Sequence, residues 1–145
     1  MRYLGIDYGT KRIGVAVSDA GGRIAFPLRT IANKPSGLAL QKLARMVYRE
    51  KIKRVIIGLP LALGGHETQQ TATVRSFAQL LGNIVRAPLI FENEMLTTRI
   101  AKQAGANRTN VDRISAAIIL QSYLDKIQRS KSPPSVAVLL RRTGK

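Results

Sequence analysis

Carboxylates are the side chains of this sequence that could do chemistry, and eight of them occur among 145 residues. The sequence has no cysteine, which excludes thiolate metal sites, thiol nucleophiles and disulfide scaffolds. Its single histidine, His66, leaves no His-rich metal site. Hard divalent cations bind carboxylate oxygens and water, and two such ions about 4 Å apart drive phosphodiester displacement. Acids that meet in space would therefore indicate a metal-dependent nuclease.

Four of the eight acids have ordinary structural explanations. They are Asp19 in a predicted turn, Glu67 at a predicted helix start, and Glu50 and Asp125 near the ends of predicted helices. We assign these four to structural roles.

The ends of two predicted strands carry the more informative acids. Asp7 ends an apolar strand, where a negative charge is costly unless a cation or several donors compensate it. An Asx turn into Gly9 is the alternative explanation. Glu94 follows the strand Leu89–Phe91, and strand alternation places Glu92 on the same side, so the two compete for one role. A favourable charge near the start of the next helix is the alternative for Glu94.

Asp112 begins a predicted helix and also has two interpretations. The segment Thr109–Asp112 fits a capping box, in which the carboxylate satisfies a backbone N–H. It also starts a helical stripe of mostly small side chains: Asp112, Ser115, Ala116 and Ile119. Such a stripe would let the helix approach the sheet closely and bring Asp112 over the strand ends. Both interpretations stay open at this point.

Changes in hydrophobic period predict the elements that must position these acids. In chain order these are strands Tyr3–Asp7, Arg12–Ser18 and Arg23–Ile31, a helix over Ser36–Glu50, an apolar strand Lys53–Leu59, a helix through Val74–Leu81, a strand Pro88–Asn93, and helices over Thr97–Ala104 and Asn110–Ile127. This order predicts one mixed α/β sheet of five strands, with three antiparallel strands first and then two parallel ones. Helices are expected to cover both faces.

Basic residues outnumber acidic ones by 24 to 8, giving a formal net charge of +16 that is spread along the chain. Such a charge is typical of proteins that bind a phosphate backbone. The longest uncharged apolar stretch, Val55–Leu63, is far shorter than the roughly 20 residues of a membrane span, and a strand-like pattern begins at once, which leaves no room for a signal peptide. We expect a cytoplasmic protein with no membrane partner, with one domain over residues 1–130 and a basic tail over residues 131–145.

Four motifs occur in an order and spacing that point to one family. They are Gly5–Asp19 (GIDYGTKRIGVAVSD), Val55–Leu61 (VIIGLPL), Asn93–Thr98 (NEMLTT) and Asp112–Leu124 (DRISAAIILQSYL). Over about residues 2–127 the chain resembles the YqgF-type, RuvC-like nucleases. Members of that family are assigned to Holliday junction resolution or to maturation of the 5′ end of pre-16S rRNA.

The resemblance implies a ribonuclease-H-like fold and an acidic site for Mg²⁺ or Mn²⁺ made of three residues: Asp7, Glu94 and Asp112. It favours Glu94 over Glu92, because the family's acid directly precedes an Arg-Leu-Thr-Thr-like run. The family usually has Asp-Glu-Arg here, whereas this chain has Asn93 and Met95 around Glu94. These departures remove a phosphate-clamping donor and a nearby acid, so they bear on metal affinity or rate.

The leading hypothesis is a metal-dependent nuclease that acts on precursor ribosomal RNA, free or within a ribosomal particle. Candidate phosphate contacts come from the first turn and the first helix: Lys11, Arg12, Lys42, Arg45 and Arg49. The three basic residues of the predicted helix could equally form a solvent-exposed helix face with no role in binding. The alternatives are a resolvase-like endonuclease that acts on branched DNA as a homodimer, and a non-catalytic RNA-binding factor of ribosome assembly. For His66, a position on the loop surface is the default and a proton shuttle the alternative.

Overall fold

The strands form one mixed sheet, as the sequence predicts. The computed structural model describes residues 1–94 and 110–131. The strands are β1 (Arg2–Tyr8), β2 (Arg12–Ser18), β3 (Ala25–Ala32), β4 (Ile52–Leu59) and β5 (Leu89–Asn93). Their order across the sheet is β3-β2-β1-β4-β5. The pairs β1–β2 and β2–β3 are antiparallel, whereas β1–β4 and β4–β5 are parallel, so the carboxyl ends of β1, β4 and β5 meet at one end of the sheet.

Helices cover both faces of this sheet and bury two apolar clusters. Helices α1 (Ser36–Arg49) and α2 (Gln69–Gly82) pack on one face, where the larger cluster includes Leu4, Ile6 and Leu43. Helix α3 (Val111–Lys131) lies on the opposite face. Because successive side chains of a strand point to opposite faces, neighbouring residues of β1 belong to opposite clusters. The predicted α/β class, with a mixed five-stranded sheet and helices on both faces, is confirmed.

Several element boundaries differ from the predicted ones, and two of the larger differences have local causes. Strand β3 begins at Ala25 rather than at Arg23, because the Asp19 carboxylate accepts the backbone N–H groups of Arg23 and Ile24 and so extends the turn. Helix α3 continues to Lys131 instead of ending at Ile127. Its Ser130 hydroxyl donates to the Ile127 carbonyl at 2.8 Å, a side-chain hydrogen bond that is compatible with a continuous helix.

The predicted helix over Thr97–Ala104 and most of the predicted basic tail lie outside the described residues, and the domain boundary at residue 130 stays a prediction. Within residues 1–94 and 110–131, no helix is both long and apolar enough to span a membrane.

Two glycines allow helix α3 to lie directly on the backbone of the sheet. A Cβ atom on Gly5 of β1 would lie 2.8 Å from the Ala116 carbonyl oxygen, and one on Gly14 of β2 would lie 1.9 Å from the Asp112 carbonyl oxygen. Both distances are too short for any side chain. The beginning of α3, and with it Asp112, can therefore approach the sheet closely because Gly5 and Gly14 carry no side chain.

We expect Gly14→Ala to destabilise the fold by about 3 kcal/mol, because its methyl group would overlap main-chain atoms of α3 that cannot rotate away. Urea unfolding monitored by circular dichroism measures the difference. The matched control is Gly37→Ala in α1, where a Cβ atom meets nothing within 4 Å. It should leave stability unchanged or raise it by up to about 1 kcal/mol. Equal stabilities for the two variants would contradict the close approach of α3.

Candidate active site

Asp7 and Glu94 meet over strand β4, although β1 and β5 are not neighbours in the sheet. Asp7 is the penultimate residue of β1, and Glu94 directly follows β5, where its N–H donates to the Leu59 carbonyl at 3.3 Å. Between them, β4 carries Gly58. A Cβ atom there would lie 2.2 Å from Glu94 Oε2, so the Glu94 carboxyl group occupies the space that a side chain on β4 would fill. The two acids share a hydrogen bond.

Burial controls the protonation of this pair. It raises the pKa of Glu94 to about 9, with the neighbouring Asp7 charge and the hydrogen bond to Asp7 adding to the shift. Burial also raises the pKa of Asp7 to about 6; the hydrogen bond from Glu94 works against this shift and the Asp112 charge adds to it. At neutral pH, Glu94 therefore holds a proton and donates it in a hydrogen bond to the Asp7 carboxylate.

Asp112 lies beside the pair but is held by a cation. Arg12 Nε donates to Asp112 Oδ2 at 2.8 Å, and these side chains are 49% and 21% exposed. The Asp112 charge is nevertheless close enough to raise the pKa of Asp7. Within the described ranges, no three His, Cys, Asp or Glu side chains are gathered closely enough to hold a metal ion as they stand. The structure thus joins Asp7 to Glu94 and keeps Asp112 adjacent, bound to Arg12.

Among the residues that the structure describes, two buried side-chain oxygen atoms have no hydrogen-bond partner. One is Glu94 Oε2 and the other is Ser115 Oγ, which lies one turn after Asp112 on the buried side of α3. Buried polar atoms are seldom left unsatisfied, and each such atom requires an explanation. A divalent cation with its waters, ligated by carboxylate oxygens, would satisfy the Glu94 oxygen. The residues present therefore fit a hard, oxygen-ligated metal ion.

The other acids have partners of their own. Glu92 is 5% exposed, accepts from Ser122 Oγ at 3.1 Å and forms an ion pair with Lys126, so it is fully engaged on the α3 side of the sheet. The remaining four bind turns or neighbouring side chains: Asp19 accepts backbone N–H groups, Glu50 pairs with Arg2, Glu67 with Arg75, and Asp125 accepts from Gln121. Of the two acids, Glu94 therefore lies beside Asp7, whereas Glu92 pairs with Lys126. The Thr109 end of the proposed capping box lies outside the described residues.

The candidate phosphate contacts divide between the two faces of the sheet. Lys11 and Arg12 are exposed at the turn between β1 and β2, next to the acids. Lys42, Arg45 and Arg49 are exposed on α1, on the face opposite to α3. His66 is exposed in the loop after β4. The phosphate-binding roles stay predictions.

Sequence comparison assigns the chain to a family. The profile of the RuvX family, described as Holliday junction resolvase, matches residues 1–126. The chain belongs to the RuvX family. Relatives named "Putative pre-16S rRNA nuclease" include one from Chloroflexus aggregans, 38% identical over 84% of this chain and 92% of that protein. Another, from Nitratidesulfovibrio vulgaris, is 38% identical over 92% of this chain and 99% of that protein. The predicted family is confirmed.

Solved structures confirm the fold of this RuvX-family chain. Thermus thermophilus RuvC in complex with a Holliday junction substrate superposes with a TM-score of 0.60, covering 88% of this chain and 96% of that chain at 15% identity. The fowlpox virus resolvase in complex with Holliday junction DNA gives a TM-score of 0.53 at 13% identity and covers 88% of this chain and 99% of that chain. At these identities the likeness establishes the RuvC-like fold.

Sequence reasoning missed the glycines that create this site. Gly14 and Gly58 each lie within an apolar strand, and an isolated glycine in a strand often marks a close approach of another group. That signal was present in the sequence, but it does not tell which group approaches. The sequence pattern identifies Ser115 only as a small residue of the helical stripe, and that pattern does not predict its unpartnered hydroxyl.

The raised pKa values of Asp7 and Glu94 predict that the metal-free protein loses stability as the pH rises. Between the ordinary pKa of a glutamate, 4.5, and about 9 the folded protein holds a proton on Glu94 that the unfolded chain releases. The free energy of unfolding should therefore fall from about pH 5 to pH 9, by at most about 1.4 kcal/mol per pH unit for one proton. Chemical denaturation in a chelator at several pH values measures it.

Glu94→Gln should flatten this pH profile above about pH 6, the raised pKa of Asp7, because glutamine still donates to Asp7 but does not titrate. The control is Glu67→Gln, at an exposed acid that pairs with Arg75. It should keep the wild-type slope. A Glu94→Gln profile parallel to that of the wild type would show that this carboxyl group ionises normally in the fold.

Proposed function

We propose that this chain is a divalent-metal-dependent nuclease that hydrolyses phosphodiester bonds in RNA, acting in the 5′-end maturation of pre-16S rRNA. The nuclease class follows from the family, and the predicted enzyme class is confirmed. The observation that carries the metal-dependent mechanism is the half-buried Asp7–Glu94 pair, whose Glu94 Oε2 atom is buried and has no partner among the described residues.

Three acids would hold the cation: Asp7, Glu94 and Asp112. RuvC-like nucleases depend on divalent metal ions in general, and an all-oxygen donor set suits Mg²⁺ or Mn²⁺. A bound ion of this kind would supply Lewis-acid activation of a water molecule and stabilise charge on the phosphoryl oxygens. The chain's own share of the chemistry is to provide carboxylate oxygens in a pocket that β4 leaves open at Gly58.

Protons and cations within the site must rearrange when it becomes active. Glu94 has to release its proton before both of its oxygens can act as ligands, and Asp112 has to leave Arg12 to turn toward Asp7. Arg12 would then be free to contact a phosphate of the substrate, because it lies beside the acids on an exposed turn. One arginine therefore has two alternative partners, a carboxylate in the resting protein and a phosphate in the complex.

RNA is the substrate that the charge and the relatives favour. A net charge of +16 supports binding to a long polyanion, and the curated relatives carry a pre-16S rRNA nuclease name. Such an enzyme would act in the bacterial cytoplasm on precursor rRNA, free or within a ribosomal particle. The family description and the RuvC-like fold support a second candidate, a resolvase acting on branched DNA.

The decisive experiment compares cleavage of single-stranded RNA, duplex RNA and a four-way DNA junction, with Mn²⁺, with Mg²⁺ and with a chelator. RNA cleavage should require the metal. Asp7→Asn should lower it at least about 100-fold while the protein stays folded, because the amide keeps the shape but not the charge. Asp125→Asn, the same change at an exposed residue of α3, is the control and should retain activity.

Full cleavage by folded Asp7→Asn would overturn the metal-dependent mechanism. Preferential cutting of the junction by a dimer would favour the resolvase, since two symmetric cuts need two active sites. Calorimetry that detects no divalent-metal binding would instead favour a non-catalytic RNA-binding factor.

Arg12→Gln should change metal binding and RNA binding in opposite directions. Releasing Asp112 should tighten Mn²⁺ binding by up to about fivefold, the size expected for a partly exposed ion pair. Losing a phosphate contact should weaken RNA binding and reduce its salt dependence by about 0.7–0.9 in log–log slope. Arg75→Gln, which breaks the exposed pair with Glu67, is the control and should not affect Mn²⁺ binding. Weaker Mn²⁺ binding in Arg12→Gln would show that Arg12 supports the metal site.

A further inference from the structure

A groove with a strongly positive lining runs between α1 and the edge strand β3, on the face of the sheet opposite to the acids. It has a volume of about 400 Å³. Four basic side chains line it: Arg29 from β3, and Lys42, Arg45 and Arg49 from α1. The three helical ones recur at helical spacing on one side of α1, and all four are exposed. None of them forms an ion pair with another residue of the ranges 1–94 and 110–131.

The groove's one acid is already neutralised. Glu50 lines the same groove, but its carboxylate accepts from Arg2 at 2.6 Å. The positive charge of the other four side chains therefore remains available to an anion from outside. Several cations along a groove, with no acid to compensate them, suit a ligand with regularly spaced negative charges.

An exposed aromatic ring stands beside these arginines. Tyr48 is 86% exposed, and it lines a second hollow of α1 together with Ala44, Arg45 and Arg49. The two arginines thus border both the groove and the tyrosine ring. An exposed aromatic ring flanked by cations is the pattern by which proteins bind unpaired nucleotides, with phosphates on the cations and a base stacked on the ring.

The groove and the acids cannot contact the same few nucleotides. Asp7 pairs with Gly14, and Gly14 lies against α3, so the acids belong to the α3 face. The residues opposite to them in the alternation, such as Ile6 and Val15, pack toward α1 and α2. In β3, Arg29 pairs with Val15 and shares that face. A nucleic acid that reaches both sites must pass around the sheet, so the groove would bind a segment distant from the cleaved bond.

We propose that the α1–β3 groove and Tyr48 form a second RNA-binding site, which holds an unpaired segment of the substrate away from the cleavage site. This inference rests on the proposed function for its choice of RNA. The basic side chains bind the phosphodiester backbone, and Tyr48 stacks on a base. The second site accounts for affinity for long substrates, while the acids account for cleavage.

Binding measured in a chelator tests this site independently of catalysis. The probe is a fluorescent single-stranded RNA, and the variant combines Lys42→Gln, Arg45→Gln and Arg49→Gln. Its Kd should rise about tenfold, and the log–log salt slope should fall by about 2, or ~0.7 for each lost phosphate contact. Tyr48→Ala should also raise the Kd about tenfold, whereas Tyr48→Phe, which keeps the ring, should stay within about twofold of the wild type.

The matched control removes the same charge elsewhere, through Arg23→Gln, Arg129→Gln and Lys131→Gln, all at exposed positions outside the groove. Equal weakening by the control would overturn the proposal, because binding would then follow net charge alone. So would an unchanged Kd in the groove variant, an unchanged Kd in Tyr48→Ala, or a groove that binds the four-way DNA junction but not the RNA. Circular dichroism verifies that each variant is folded.

Cleavage separates this inference from the proposed function. If the chain cleaves RNA, the groove variant should raise KM for the long RNA and keep kcat, and it should cleave the small phosphodiester bis-para-nitrophenyl phosphate at the wild-type rate. A lower kcat on the small substrate would overturn the proposal by placing the groove in the catalytic machinery. If wild-type protein never cleaves RNA, the proposed function fails, while the binding results in chelator still decide whether the groove is an RNA site.

Discussion

The direct contact between helix α3 and the backbone of the sheet is the constraint on which the candidate site depends. It is possible because Gly5 and Gly14 present no side chains to the helix, so Ala116 and Asp112 lie against β1 and β2 themselves. The same packing places Ile119 beside Gly58, where a Cβ atom would lie 2.5 Å from the Ile119 Cδ1 atom. The helix thereby positions Asp112 and shields Asp7 and Glu94 from solvent in part.

The partial burial of the Asp7–Glu94 pair follows from that contact. Withdrawing two acidic groups from water costs folding free energy. Two carboxyl groups in one poorly hydrated pocket cannot both be charged cheaply, so one keeps its proton. A cation bound in this pocket would stabilise the ionised forms of both carboxyl groups. Among residues 1–94 and 110–131, the two basic side chains that pair with the acids neighbouring this pocket are Arg12, with Asp112, and Lys126, with Glu92.

Much of the fold and part of the site could be predicted from the sequence. Alternation revealed β1 and β2, the apolar run revealed β4, and the motif around Asp112 placed that acid at the start of a helix. The choice between Glu92 and Glu94 needed the family resemblance, because alternation puts both on one side. The pairing of Glu92 with Lys126 and of Asp112 with Arg12 joins residues far apart in the chain, and no local pattern contains such information.

The Arg12–Asp112 pair has a consequence for the order of events at the site. With Glu94 protonated and Asp112 paired with Arg12, Asp7 is the one acid of the three that carries a charge and has no ion-pair partner among the described residues. Three open carboxylates would attract any divalent ion and repel a phosphate group. A nearly neutral pocket does neither strongly. In the proposed nuclease, this charge balance would let the polyanion and the cation bind in either order.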